Sequence, residues 1–217
     1  MTDRKLVRSA SMETPYDEDG SLMIDEAVQT VHPKETEVAP RQVGDYCKLD
    51  IDNDCFVVAN EFQGRTLIHI RYYDTNASGK LYPTKKGVSL TPQHWKKLQM
   101  LHCKTVDEAI RKYKEGDEID LRIHLGRNNH VSLQTGFPKV NIRRWFMPDP
   151  STNELKPTRA GVALSFEQWE KLKNCMLTMP EYIGDILDNV EFCDLSHHNQ
   201  ESFFSCYDCS PNQTVFL

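Results

Sequence analysis

The chain has 217 residues, of which 39% are hydrophobic and 27% charged, with a net charge of −6. That is enough apolar material for one large domain or two small ones, and no window nears the roughly 18 consecutive apolar residues of a membrane helix. The acidic total hides a division: residues 1–41 and 191–217 are each four charges negative, while 42–190 is two positive, so the middle can still meet a nucleic acid. The opening stretch, MTDRKLVRSASMETPYDEDG, holds no apolar run of the kind a secretory signal needs. The seven cysteines are therefore expected as reduced thiols rather than a disulfide framework.

Residues 1–41 are polar, carry Pro15, Pro33 and Pro40, and are expected to form a disordered acidic tail, with Ser9, Ser11, Thr14 and Ser21 open to phosphorylation. An internal repeat follows, with copies predicted at 42–115 and 116–190. A shift of 72 lays Gly44-Asp45 on Gly116-Asp117, Leu49 on Leu121, Ile51 on Ile123, and Ile70-Arg71 on Ile142-Arg143. A shift of 74 then lays LYPTKKGVSLTPQHWKKL (81–98) on LKPTRAGVALSFEQWEKL (155–172). Leu, Pro, Thr, Gly, Val, Leu, Trp, Lys and Leu recur in order along that stretch.

Each copy reads as strands first and helix last. Alternation predicts strands near Cys47–Ile51, Cys55–Ala59 and Thr66–Tyr73, then a turn at Asn76-Ala77-Ser78-Gly79 and a fourth strand near Leu81–Lys85. Thr91 and Pro92 begin a helix with Trp95, Leu98 and Leu101/His102 on one side. Copy two gives Ile119–Ile123, Val131–Gln134, Val140–Phe146 and Leu155–Arg159, then a helix opened by a Ser165/Gln168 capping box. Thr105 with Glu108, and Thr178 with Glu181 beside Pro180, read as fresh caps that interrupt each helix. Val106, Ala109, Ile110 and Tyr113 form one apolar stripe, and Tyr182, Ile183, Ile186, Leu187 and Val190 another, suited to core packing or helix docking.

Side chains alternate across a strand, so Thr66, Ile68, Ile70 and Tyr72 should face the core. Arg65, Leu67, His69, Arg71 and Tyr73 then face outward, as do Lys139, Asn141, Arg143 and Trp145 in copy two. Lys85-Lys86, Lys156 and Arg159 follow a few residues on. Cations that track phosphates and rings that stack on unpaired bases suit single-stranded nucleic acid. An ordinary solvated sheet face has a similar composition.

The segment FQGRTLIHIRYYDTNASGKLYPTKKGVSLTPQHWKKL, continued by TVDEAIRKY, resembles the C-terminal domain of the transcriptional coactivator positive cofactor four. Copy two resembles it more loosely, through VNIRRWF and LKPTRAGVALSFEQWEKL. The resemblance implies an α+β fold: two tandem copies of a curved four-stranded antiparallel sheet followed by a kinked helix, paired here as an intrachain pseudo-dimer. It further implies a nuclear, non-enzymatic transcription coactivator without cofactor or metal, binding single-stranded or melted DNA, with transcription-machinery proteins, RNA and further self-association as lesser partners and no membrane. By the same resemblance the binding residues are Phe62, Arg65, Arg71, Lys85 and Lys86 in copy one, with Tyr73 standing beside Asp74 where the family has a strand-end Trp. Copy two offers Arg143, Lys156, Arg159 and Phe146, joined on the outer face by Lys139 and Trp145. Phe137, Ala160 and Gln134 depart from the pattern, so each ridge is incomplete and asymmetric binding is expected.

Residues 191–217 are expected to form an acidic tail, and its Cys193, His197, Cys206 and Cys209 are a weak zinc candidate against the plainer reading of incidental cysteines. Cys47, Cys55, Cys103 and Cys175 read as core thiols, and His94 and His102 as surface or packing residues. No nucleophile elbow, phosphate-cradling loop or zinc-protease motif is present. The rival to nucleic-acid binding is a protein-interaction adaptor of transcription complexes whose ridges have lost affinity.

Overall fold

A computed structural model describes residues 45–149, 151–152 and 154–212. The expected N-terminal tail lies outside the described residues. Repeat one holds β1 (Asp45–Asp50), β2 (Cys55–Phe62), β3 (Arg65–Thr75) and β4 (Leu81–Leu90) in a four-stranded antiparallel meander. Repeat two holds β5 (Asp120–Gly126), β6 (Asn129–Gln134), β7 (Phe137–Phe146) and β8 (Lys156–Leu164) in a second sheet of the same order. A helix follows each sheet, as the sequence predicts.

The turns follow from local chemistry. Gln63 and Gly64 both take positive φ, 51° and 73°, which closes the two-residue β2–β3 hairpin. The Asn76 carboxamide accepts from the backbone of Ser78 and Lys80 and builds the β3–β4 turn.

The strand register corrects the sequence alignment at one point. Leu49 lies opposite Val57 and Ile123 opposite Val131, so Leu49 corresponds to Ile123 and not to Leu121. The β2–β3 hairpin of repeat one is two residues longer than its counterpart, and its β3–β4 connection is two residues shorter. A two-residue slip leaves every side chain on its own face, so the alternation pattern could not expose it.

Both helices bend, by different means. The first runs as α1 (Pro92–Lys97), capped by Thr91, then a π-helical turn over Leu98–His102, then α2 (Cys103–Glu115). Thr105 lies inside α2 and caps nothing, because the wider turn carries the helix through without a break. That turn also rotates Leu101 out to 48% exposure, away from the buried Trp95 and Leu98. The second runs as α3 (Phe166–Thr178), opened by the expected Ser165/Gln168 capping box, then α4 (Pro180–Asp188). Thr178 is not a cap either: its hydroxyl donates back to the Asn174 carbonyl, and Pro180 starts the new helix.

One continuous core joins the repeats. Ile68, Ile70, Trp95 and Leu98 pack in the same cluster as Val140, Ile142, Trp169 and Leu172. β4 and β8 meet along the seam, and Tyr72 of β3 donates across it to the Ala163 carbonyl. Helices cross over as well: α2 packs on β6 of repeat two and α4 on β1 of repeat one. Asp52 accepts from Gln168 and pairs with Lys171, while Asp107 receives Trp169 Nε1 at 2.7 Å and Lys173 at 3.0 Å. Cys47, Cys55 and Cys175 are buried, and burial pushes the Cys55 thiol up to about 12 and the Cys103 and Cys175 thiols to about 11, as inert core groups.

Residues 193–212, expected as a tail, form two short helices, α5 (Cys193–Ser196) and α6 (Gln200–Phe204), and reach both repeats through Asp208 and Asn212. No helix among the described residues is long and apolar enough to cross a membrane.

Candidate nucleic-acid interface

The same device is built into both sheets. In repeat one β4 carries two extra residues opposite the Arg71–Tyr73 step of β3, and the bulge holds Thr84, Lys85 and Lys86. Thr84 pins it: its hydroxyl donates to the Tyr72 carbonyl at 2.7 Å, and its own carbonyl accepts from Arg71 Nη1 at 2.6 Å. Repeat two matches atom for atom, with Thr158 donating to the Arg144 carbonyl at 2.8 Å and accepting from Arg143 Nη1 at 2.6 Å. The recurring Gly is explained too. A side chain at Gly87 would strike the Arg71 stem, and one at Gly161 would strike the Arg143 backbone. The Pro-Thr-x-x-Gly repeat therefore lays an arginine flat across a glycine and aims a basic bulge outward.

Arg71 and Arg143 are half-buried, and each spends one nitrogen on the threonine carbonyl. Burial lowers Arg143 from its ordinary value, yet a guanidinium remains a cation in the physiological range. Lys85, Lys86, Lys156 and Arg159 are exposed on the bulges and the strand entries. Phe62, 58% exposed, sits opposite Arg65 at the β2–β3 hairpin tip, and Lys139 is exposed beside the β6–β7 tip.

The predicted rings are placed less freely. Tyr73 stands edge-on to Phe56 at 5.1 Å, with Lys48 Nζ 3.8 Å above its ring. Trp145 stands edge-on to His130 at 5.8 Å, under the Arg122 guanidinium at 4.9 Å. Phe56 lies opposite Arg71 and His130 opposite Arg143, so the two clusters are equivalent. Phe146 pairs with Lys156 and is 37% exposed, apart from this cluster.

Lys48 and Arg122, on the first strand of each sheet, escaped the sequence reading, which took its cations from the third and fourth strands. So did a groove of about 440 Å³ where the repeats meet, lined by Arg71, Lys85, Arg127, Arg144 and Tyr207. Only the fold brings residues so distant in sequence together.

Among the described residues, Arg65, Arg71, Lys85, Lys86, Lys139, Arg143, Lys156 and Arg159 form no ion pair. On the helices Arg111 pairs with Glu108 and Glu115, Lys171 with Asp52, and Lys173 with Asp107 and Glu170, whereas Lys96, Lys104 and Lys114 form no ion pair among the described residues.

Residues 49–101 and 123–175 each match the family model described as Transcriptional Coactivator p15 (PC4). The chain belongs to the PC4 family, with its domain present twice. The two PC4 matches begin at Leu49 and at Ile123, the two residues that the strand register places in correspondence. Each spans the last three strands of its sheet, including the arginine, the bulge and the tryptophan-bearing helix. The PC4 family is one of DNA-binding transcriptional coactivators.

Proposed function

We propose that this PC4-family chain is a non-enzymatic nuclear coactivator that binds single-stranded or melted DNA on the outer faces of its two sheets, which act together as an intrachain pseudo-dimer. The observation that carries the proposal is the set of unpaired cations repeated on both sheets around the same arginine-and-bulge device. Unpaired cations beside a half-buried arginine attract phosphates and release counterions when they meet. Exposed Phe62 and the cation-capped Tyr73 and Trp145 supply ring surface for bases, with stacking worth about 1–3 kcal/mol per base. Stacking alone does not distinguish the sugar, so RNA is the lesser alternative ligand for the same faces. The shared core and the seam of β4 and β8 support the pseudo-dimer, because they give one chain the paired sheets of a dimer.

Titrating labelled oligo-dT with the chain and with Arg71→Ala and Arg143→Ala tests the reading. Each variant should bind about tenfold more weakly, as expected for loss of one charge-assisted contact. Unchanged affinity in both removes the ridge model. One observation favours the adaptor reading: Lys48 and Arg122 already cover the rings that bases would use. Under that reading oligo-dT binding is absent and transcription-complex proteins are retained.

A further inference from the structure

We propose that Cys193, His197, Cys206 and Cys209 bind one Zn²⁺ ion in a closed tetrahedral site that folds the C-terminal segment and clamps it across the two repeats. One donor atom from each of the four lies within 4.8 Å of all the others. Cys193 Sγ is 3.2 Å from Cys209 Sγ, and His197 Nε2 is 3.3 Å from the same sulfur. Around zinc, with zinc–sulfur bonds of about 2.3 Å, tetrahedral ligand atoms stand about 3.8 Å apart, so no donor–donor separation need change by more than about 1 Å. Three thiolates and one imidazole select a borderline-soft tetrahedral ion and leave no open position for water or substrate, which marks a structural site.

The local fold presents these donors. Cys193 opens α5 and His197 immediately follows it, while Cys206 and Cys209 flank a turn closed by the Ser210 amide on the Cys206 carbonyl at 2.8 Å. The Phe203 ring stands edge-on to His197 at 5.6 Å and fixes the imidazole plane. The segment has no core of its own: no described residue from 193 to 212 is fully buried, and Leu195 is 83% exposed. So short a piece with so little apolar burial needs a cross-link to hold a shape, and a metal is one.

The clamp follows from Asp208, which lies between two of the ligands. Its carboxylate accepts from His94 of repeat one at 3.0 Å and from Arg127 of repeat two at 3.0 Å, and its carbonyl accepts the Arg127 amide at 2.9 Å. Gly126 leaves the space: a side chain there would strike both His94 and Asp208. Asn212 and Asn128 exchange amide hydrogen bonds beside it. The same turn carries Tyr207, 62% exposed, to the groove between the repeats.

Elemental analysis of the full chain, expressed without a histidine tag in zinc-supplemented medium and purified without chelator, tests the site. About one zinc per chain is expected, falling below about one tenth in the Cys206→Ser/Cys209→Ser variant. Wild-type chain with under a tenth of an equivalent, iron in place of zinc, or a variant that keeps its zinc would overturn the proposal. Cobalt added to the chelated wild-type chain separates ligation from folding. It should give the intense visible absorption of a tetrahedral thiolate complex, and the weak absorption of six-coordinate cobalt would contradict the site. A Cys193–Cys209 disulfide found by mass spectrometry of the native chain would also overturn it.

Discussion

Gly87 and Gly161 show how a residue without a side chain can set the position of one with charge. The sequence marks both as recurring, but the reason is three-dimensional: each lies under an arginine from the neighbouring strand. The two sites differ in what a methyl group would meet. At Gly87 the nearest atoms belong to the movable Arg71 stem, whereas at Gly161 they include the Arg143 Cα. Gly161→Ala should therefore cost about 1–3 kcal/mol of stability through overpacking, and Gly87→Ala less, with Arg71 displaced instead. Chemical denaturation of the two variants compares the costs, and equal losses would contradict this account of the contact. The threonines at 84 and 158 belong to the same residue-scale lesson. Their recurrence was plain in the sequence, but their role as pins for a bulge was not, because a bulge breaks the pairing register rather than the alternation.

At the scale of the element, strands and their faces were legible because burial on one side imposes a period of two, and Ile68, Ile70, Val140 and Ile142 obey it. Helix caps were legible where a loop precedes them, at Thr91 and Ser165, and misleading at Thr105 and Thr178, where a bent helix continues. Sheet one also holds a titrating group that alternation could place but not describe. His69 joins three strands, with Nε2 donating to the Asn60 side-chain Oδ1 at 3.1 Å and Nδ1 accepting from the Ser89 hydroxyl at 2.7 Å. Burial, helped by the nearby Arg71 charge and opposed by Asp45, holds its pKa below the ordinary imidazole value. The folded state thus resists protonation that the unfolded chain accepts near pH of about 6.5, so stability is retained above that value and declines as pH falls through it. Repeat two has Asn141 at the corresponding strand position, which makes His69→Asn the natural variant. Melting temperatures between pH 7 and pH 5, a window of about two units, should fall less steeply for His69→Asn than for the natural chain, and parallel curves would contradict the linkage.

The whole molecule is where the sequence was least informative. It disclosed two copies of one unit but not that they share a core, that α2 and α4 each pack on the other repeat, or that the C-terminal segment reaches both through Asp208. Such contacts join residues well separated along the chain, 81 positions for Arg127 and Asp208 and 114 for His94 and Asp208, and no local pattern records them. They place two basic sheet faces on one body whose net charge is negative, so the attraction for phosphate is local and salt-sensitive. The most direct measurement is a titration of labelled oligo-dT, matching duplex and matching RNA with the full chain across a salt series. The account predicts tightest binding to oligo-dT, one chain per short strand, and a log–log salt slope of about −0.7 for each phosphate neutralised, reduced by about that amount in Arg71→Ala and in Arg143→Ala. Binding that ignores salt, or duplex preferred to single strand, would contradict it.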